Sequence, residues 1–287
     1  MAHTRVLVLG SGGVTGVAWQ VGVLSGLAEA GVDVTDADLV IGTSAGAVVG
    51  AQVCAGADVA ALYAGQVAPG VSSSERMGVR AVSALAWAAV CSRDGRRARA
   101  RIGRYAVAAA TMPEAARRPV FEAALPASAW PDRPLWVTAV DAVTGEFVVF
   151  DGGPVDGGPV DLVDAVGASC AVPGVWPPVT IGGRRFMDGG MRSAANADLA
   201  AGFSSVVVLA PITWGLGWLP PVSRQVAGLC SGAVAVVTPD RSARRVIGRR
   251  LLDPARRPGA ARAGRRQGLA VADVVRRVWK AAGRSSG

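Results

Sequence analysis

Twice within its first 55 residues the chain runs a short apolar strand into a glycine-marked turn and out along an apolar helix. Nothing else in the sequence constrains the fold as much. Arg5–Leu9 is a Val/Leu run, broken by Gly10-Ser11-Gly12-Gly13. From Val14 to Ala30 apolar residues return at helical spacing (Val17, Val21, Leu24, Leu27, Ala28), and Gly31 is the residue type that closes a helix. Residues 39–41 form a second apolar run, followed by Gly42-Thr43-Ser44-Ala45-Gly46 and a helix to about Cys54. Strands that are apolar at every position are buried on both faces, and strand–helix–strand order joins them in parallel. The expected fold is α/β: three layers, α/β/α, around a mainly parallel central sheet.

The remaining chain extends this reading. Residues 69–131 carry few strand signals, so a helical insertion or lid is expected there, with an apolar stretch at 79–91 and an arginine run (Arg93, Arg96, Arg97, Arg99, Arg101, Arg104). Residues 135–141 and 146–150 resume strands around a Val143-Thr144-Gly145 turn. Residues 151–161 are an imperfect repeat (DGGPVDGGPVD) that reads as a loop, and Asp161 can cap a helix over 162–170. Residues 179–181 and 184–187, joined by Gly182-Gly183, read as a tight hairpin. Further buried strands are expected at 206–210 and 234–238. From 241 to 287 the tail is arginine-rich and helical, interrupted at Pro254 and Pro258.

Composition sets the class. With 287 residues, 51% hydrophobic and 18% charged, the chain can bury a large core and is no disordered segment. One domain over 1–287 is expected. The four cysteines (Cys54, Cys91, Cys170, Cys230) lack CxxC spacing and read as reduced, apolar residues of a cytoplasmic protein. The single histidine, His3, cannot build a zinc site, and no metal or cofactor is expected. The N-terminus reads as strand, loop and helix rather than a signal peptide. Residues 204–223 are free of charge, but their prolines and glycines argue against a membrane span.

Gly42-Thr43-Ser44-Ala45-Gly46 matches GxSxG. In a nucleophile elbow the serine sits on a strained strand-to-helix turn, where the positions two before and two after it crowd together. The bland alternative is a helix turn capped by Ser44. No histidine follows Ser44, so a hydrolase built on it must use another base, a carboxylate or lysine. Three Asp-Gly-Gly sequences offer one, at Asp151, Asp156 and Asp188. Asp156 has no strand before it, whereas Asp151 and Asp188 each follow one. Pattern alone does not separate those two. The loop Gly10-Ser11-Gly12-Gly13-Val14-Thr15-Gly16 has two readings. It could cradle a phosphate as a nucleotide- or dinucleotide-binding turn, although Thr15 breaks GxGxxG. It could instead present helix-terminal amides as an oxyanion hole, each donor worth roughly 3–4 kcal/mol to a transition state.

Three blocks taken together resemble the patatin-like phospholipase family, in its bacterial branch. Residues 9–27 are similar to the family's glycine-rich loop and helix, and residues 41–46 to its elbow. In residues 165–196, Ala168-Ser169, Val172-Pro173-Gly174, Pro177-Pro178 and Met187-Asp188-Gly189-Gly190 resemble the strip ending in the catalytic Asp-Gly-Gly. The resemblance covers about two thirds of the chain. It implies a serine lipid acyl hydrolase with a Ser–Asp dyad, Ser44 as nucleophile and Asp188 as base. Gly12 and Gly13 would supply oxyanion amides, with Gly42, Gly46, Gly189 and Gly190 shaping the turns. Two departures stand out: Ser11 replaces the first glycine of the usual triple, and Thr15 stands where the family commonly has a basic residue. The second bears on anion stabilisation and catalytic rate. An inactive lipid-binding scaffold is the alternative within the same fold.

The net charge of +9 comes almost wholly from arginine, Lys280 being the only lysine, and favours anionic partners. A phospholipid or other acyl ester as substrate, and an anionic membrane surface touched peripherally, fit this. Nucleic acid does not, since aromatics are 5% and no binding module is present. In the tail, Val271, Val274, Val275 and Val278 share a face expected to dock on the domain.

Overall fold

The computed structural model describes residues 5–68, 94–215, 217–229 and 232–281. Its sheet contains β1 (Arg5–Leu9), β2 (Leu39–Gly42), β3 (Leu135–Asp141), β4 (Phe147–Phe150), β5 (Val179–Ile181), β6 (Arg184–Asp188), β7 (Ser205–Leu209) and β8 (Ala233–Val237). The order is β5-β6-β3-β2-β1-β7-β8, with β4 also on β3. From β3 through β2, β1 and β7 to β8 every pairing is parallel. The antiparallel pairs gather at the other end, where β4 and β6 flank β3 and β5 follows β6. The α/β architecture with a mainly parallel sheet flanked by helices is therefore as expected.

The helices are α1 (Gly13–Glu29), α2 (Ala45–Cys54), α3 (Val59–Val67), α4 (Gly95–Ala108), α5 (Glu114–Ala124), α6 (Leu162–Ser169), α7 (Val222–Ala227), α8 (Arg241–Ile247) and α9 (Arg257–Ala281). Strand β1 serves two cores by simple alternation. Leu7 and Leu9 join Trp19, Leu24 and Leu27 of α1 and Val275 of α9. Val6 and Val8 point the other way, to Ala197, Ala200 and Val222. Asp161 caps α6 by accepting from the Val163 amide at 2.7 Å, as its sequence position suggests.

The tail packs more closely than its valines imply. A Cβ on Gly22 of α1 would lie 2.2 Å from the Ala261 carbonyl oxygen, and one on Gly264 of α9 2.2 Å from that of Trp19. Gly26 and Gly268 repeat the contact one turn on. Each helix thus carries glycines four apart, so backbone meets backbone, and the Trp19 indole donates to Gln267 Oε1 at 3.2 Å. Two tail expectations need correction. Pro258 does not interrupt the helix: it lies in the first turn of α9, where a missing amide costs no hydrogen bond. Val274 is 50% exposed, because the docking face is centred on Val275 and Trp279.

Within the expected insertion, α4 and α5 are helical, while the apolar stretch at 79–91 lies outside the described residues. Helix α4 buries Ala98, Ile102 and Ala106 and turns arginines outward, Arg97 with its side chain 82% exposed. No helix among the described residues is long and apolar enough to cross a membrane.

Candidate active site

The register of β3 explains how residues 144 positions apart meet. Val137 pairs with Gly42 of β2 on one edge and Phe150 of β4 on the other. Two residues on, Ala139 pairs with Val148 of β4 and Asp188 of β6. Strands β2 and β6 therefore share one edge of β3, pointing at each other. Their C-terminal ends converge, and the residues just beyond β2 face the last residue of β6.

Ser44 follows β2 with φ 54° and ψ −116°, a left-handed conformation that costs a serine about 1–3 kcal/mol. The turn is enforced from below: a Cβ on Gly46 would fall 1.9 Å from the Leu9 carbonyl oxygen, so α2 starts against β1 only with glycine there. Gly42 is likewise hemmed in by the Ala47 backbone. The Ser44 amide donates to Ser169 Oγ at 2.8 Å, and its hydroxyl donates to Asp188 Oδ2 at 2.8 Å. Ser44 is 5% exposed and Asp188 3%. The other carboxylate oxygen, Oδ1, accepts from the Gly190 amide at 2.7 Å. Burial raises the Asp188 carboxyl to about 7; the bonds from Gly190 and Ser44 oppose this but do not cancel it. A side chain on Gly189 would strike Thr138, and one on Gly190 would strike Ser11 Oγ and Asp188 itself.

The other sequence candidates lie elsewhere. Asp151 follows β4, on the opposite edge of β3, and accepts from the Gly153 amide in an exposed turn. Asp156 is exposed, 3.6 Å from Arg184. His3 is outside the described residues. Gly12 caps α1, and Gly13 lines a cavity together with Ser44. On the same helix start, the Thr15 amide and hydroxyl both donate to the Leu251 carbonyl, at 3.0 and 3.2 Å. That carbonyl stands where a cradled phosphate would need donors, which disfavours the dinucleotide reading.

Pattern reading missed a buried polar layer beneath the pair. The Thr138 hydroxyl donates to Thr43 Oγ1 at 2.8 Å. The Asn196 amide group reaches Thr43 Oγ1, Thr138 Oγ1 and the carbonyls of Gly189 and Ser193 at 3.1–3.3 Å. Asn196 thereby ties the elbow, β3 and the Asp-Gly-Gly turn together. It holds φ 49°, a conformation asparagine tolerates better than most residues. Its place in an Ala-Asn-Ala-Asp stretch was the one available signal.

Next to the pair lies a cavity of about 400 Å³. Its floor carries Ser44 and Cys170. Its walls are largely apolar, from α1 (Val14, Val17), α2 (Ala45, Val48) and α5 (Val120, Phe121). Burial, with the charge of Asp188, pushes the Cys170 thiol up to about 12. It is a neutral neighbour at neutral pH, not a competing nucleophile.

A parallel sheet whose strand end presents a strained serine to a buried carboxylate defines an α/β protein of the hydrolase kind. Residues 7–201 match the model of the patatin-like phospholipase family, well over half the chain. The protein belongs to that family, and is a hydrolase of the phospholipase/esterase type. Among solved structures, it is similar to VipD from Legionella pneumophila at 12% identity and a TM-score of 0.45, covering 95% of this chain and 67% of that one. It is also similar to the type III effector protein ExoU at 14% identity and a TM-score of 0.38, covering 96% of this chain and 53% of that one.

Proposed function

We propose that the protein cleaves acyl esters of lipids through a Ser44–Asp188 dyad and an acyl-enzyme. The observation that carries this is the 2.8 Å hydrogen bond from the Ser44 hydroxyl to a buried carboxylate whose proton affinity is raised toward neutrality. An aspartate near its ordinary value is a poor base for an alcohol; one near 7 narrows that gap by about three decades. Ser44 Oγ attacks the ester carbonyl as its proton moves to Asp188 Oδ2. The amides of Gly12 and Gly13 face the oxyanion, and Asp188 returns the proton to the departing alcohol. Water, giving its proton to the same carboxylate, then attacks the acyl-enzyme, and Asp188 passes that proton to Ser44 Oγ as the fatty acid leaves. The apolar cavity beside Ser44 suits an acyl chain, and α5 makes part of its wall, consistent with a lid role for the insertion.

Peripheral contact with an anionic membrane from the cytoplasmic side fits the exposed Arg241, Arg244, Arg245, Arg249 and Arg250, which precede the cavity-lining Leu252 and Pro254. The test is an alkyl fluorophosphonate probe followed by peptide mapping. Labelling at Ser44, lost in Ser44→Ala and Asp188→Asn, is the expected result. Lipid binding without labelling would establish the scaffold reading, and NAD(P) binding without labelling the nucleotide one.

A further inference from the structure

Part of the cavity beside Ser44 is built by residues beyond the family match, which ends at residue 201. Leu252 and Pro254, from the connection between α8 and α9, line it together with Gly13 and Ser44. That connection lies against the first turn of α1. A Cβ on Gly13 would fall 2.9 Å from the Leu251 carbonyl oxygen and 2.9 Å from Leu252 Cδ2. The leucine therefore stands at the ester end of the cavity, over the loop whose amides face the oxyanion in the reaction proposed above.

The connection is a strap pinned at several points. The Leu251 carbonyl accepts from both the amide and the hydroxyl of Thr15, which is fully buried. Thr15 is the residue that departs from the family's usual basic side chain, and its hydroxyl here fastens the strap to the glycine-rich loop. Further along, Asp253 Oδ1 accepts from the Ala255 amide at 3.1 Å, and Arg256 Nη1 donates to the Val246 carbonyl at 2.9 Å. A terminal nitrogen of Arg257 donates to the Gly65 carbonyl at 2.7 Å. A wall held this way does not give way to added bulk, and extra atoms pressed against a fixed wall cost binding and rate.

Resting on the acyl-hydrolase reading above, we infer that Leu252 is a specificity residue that excludes acyl groups branched next to the ester carbonyl, and that Thr15 is the positioning residue that holds it there. With the carbonyl carbon on Ser44 Oγ and the oxyanion at Gly13, the next carbon of the acyl chain passes Leu252. A plain methylene clears the leucine, whereas a methyl branch meets it.

The experiment compares kcat/KM for p-nitrophenyl octanoate and p-nitrophenyl 2-methyloctanoate, which share one leaving group. The straight-to-branched ratio of the wild type is the reference, so the intrinsic slowness of the branched ester cancels. Leu252→Ala should cut that ratio by about tenfold, the scale of one methyl group in an apolar pocket. Thr15→Val, which keeps the shape but loses the hydroxyl, should cut it by about threefold, and Thr15→Ser should hold it within about twofold of wild type. A purely structural role for Thr15 would slow both esters alike and leave the ratio unmoved. Leu269→Ala makes the same truncation on α9, at a leucine that is 39% exposed, and should change nothing. Ser44-dependent hydrolysis with a ratio that Leu252→Ala does not move, or a change only in discrimination among alcohols, overturns the assignment and leaves the hydrolase reading standing. No Ser44-dependent hydrolysis of the straight ester overturns both.

Discussion

Replacing Asp188 by asparagine should stabilise the protein while silencing it, and the gain should depend on pH. In the fold the carboxyl titrates near 7, against an ordinary value of 3.8. The folded state therefore holds a proton that the unfolded chain has released. Wild-type stability falls as pH rises from about 4 to about 7, for a total of about 4 kcal/mol at 1.36 kcal/mol per unit. Asparagine does not titrate, and it can keep both contacts: its oxygen accepts from the Gly190 amide, and its nitrogen donates to Ser44 Oγ. The stability gap between variant and wild type should widen by about 3 kcal/mol between pH 5 and pH 8, which is roughly 5–10 °C in Tm. The window is clean because the sequence has a single histidine. Urea unfolding at the two pH values, with esterase activity measured in parallel, checks this. A gap that stays constant with pH, or an asparagine variant less stable than wild type at pH 8, would show that burial of Asp188 is not what raises its proton affinity.

The same titration predicts that kcat/KM for a neutral ester falls tenfold per unit as pH drops below about 7, a limb absent from an enzyme with an ordinary aspartate base. Ser44→Gly should abolish activity yet raise stability by about 1–2 kcal/mol over Ser44→Ala, because only glycine accepts φ 54° without strain; equal melting points would refute it. Asn196→Asp should cost about 3–5 kcal/mol by pressing a carboxylate against the Gly189 and Ser193 carbonyls, read as a drop in the urea midpoint. Asp151→Asn should leave both activity and stability within twofold and about 0.5 kcal/mol of wild type, since that side chain only closes an exposed turn.

What the sequence made legible was whatever repeats with a local period or needs a particular residue at a turn. Apolar runs located β1, β2, β3 and β7, and Gly182-Gly183 located the β5–β6 hairpin, where both glycines have positive φ. Ser44 was visible through its elbow glycines. Asp188 was not separable from Asp151 by pattern, because both end strands ahead of two glycines. The resemblance to the patatin-like family points to Asp188, and the register on β3 gives the physical reason: one strand lies on the edge shared with β2, the other on the opposite edge. Asn196 and Ser169 carry no local signal as site residues for a similar reason. Their roles come from contacts across 58 to 153 positions, and no local spacing encodes those. The valines of α9 mark its docking face only coarsely, because the closest contact runs through glycines on both helices.

The missing histidine is a consequence of this geometry more than a deficiency in it. A triad needs a long side chain to bridge a nucleophile and an acid on separate loops. Here two strand ends on a common edge bring the serine oxygen and the carboxylate into direct contact, leaving no room between them for an imidazole. For the proposed dyad the cost is that aspartate must be made basic, and burial is the means available. Burial in turn requires a rigid surround, since an ionised carboxylate that could reach water would regain its ordinary proton affinity. Asn196, Thr43 and Thr138 below, Ser169 behind the Ser44 amide, and Gly190 against Oδ1 supply that rigidity through hydrogen bonds to backbone as well as side chains. Loosening that layer should therefore lower the apparent pKa of the rate profile before it unfolds the protein. Thr138→Val, which removes one hydroxyl and keeps the shape, should shift the acid limb downward while kcat falls, with the melting point lowered by no more than about 1–2 kcal/mol equivalent. A fall in kcat with an unmoved limb would mean that the layer holds Ser44 in place but does not keep Asp188 dry.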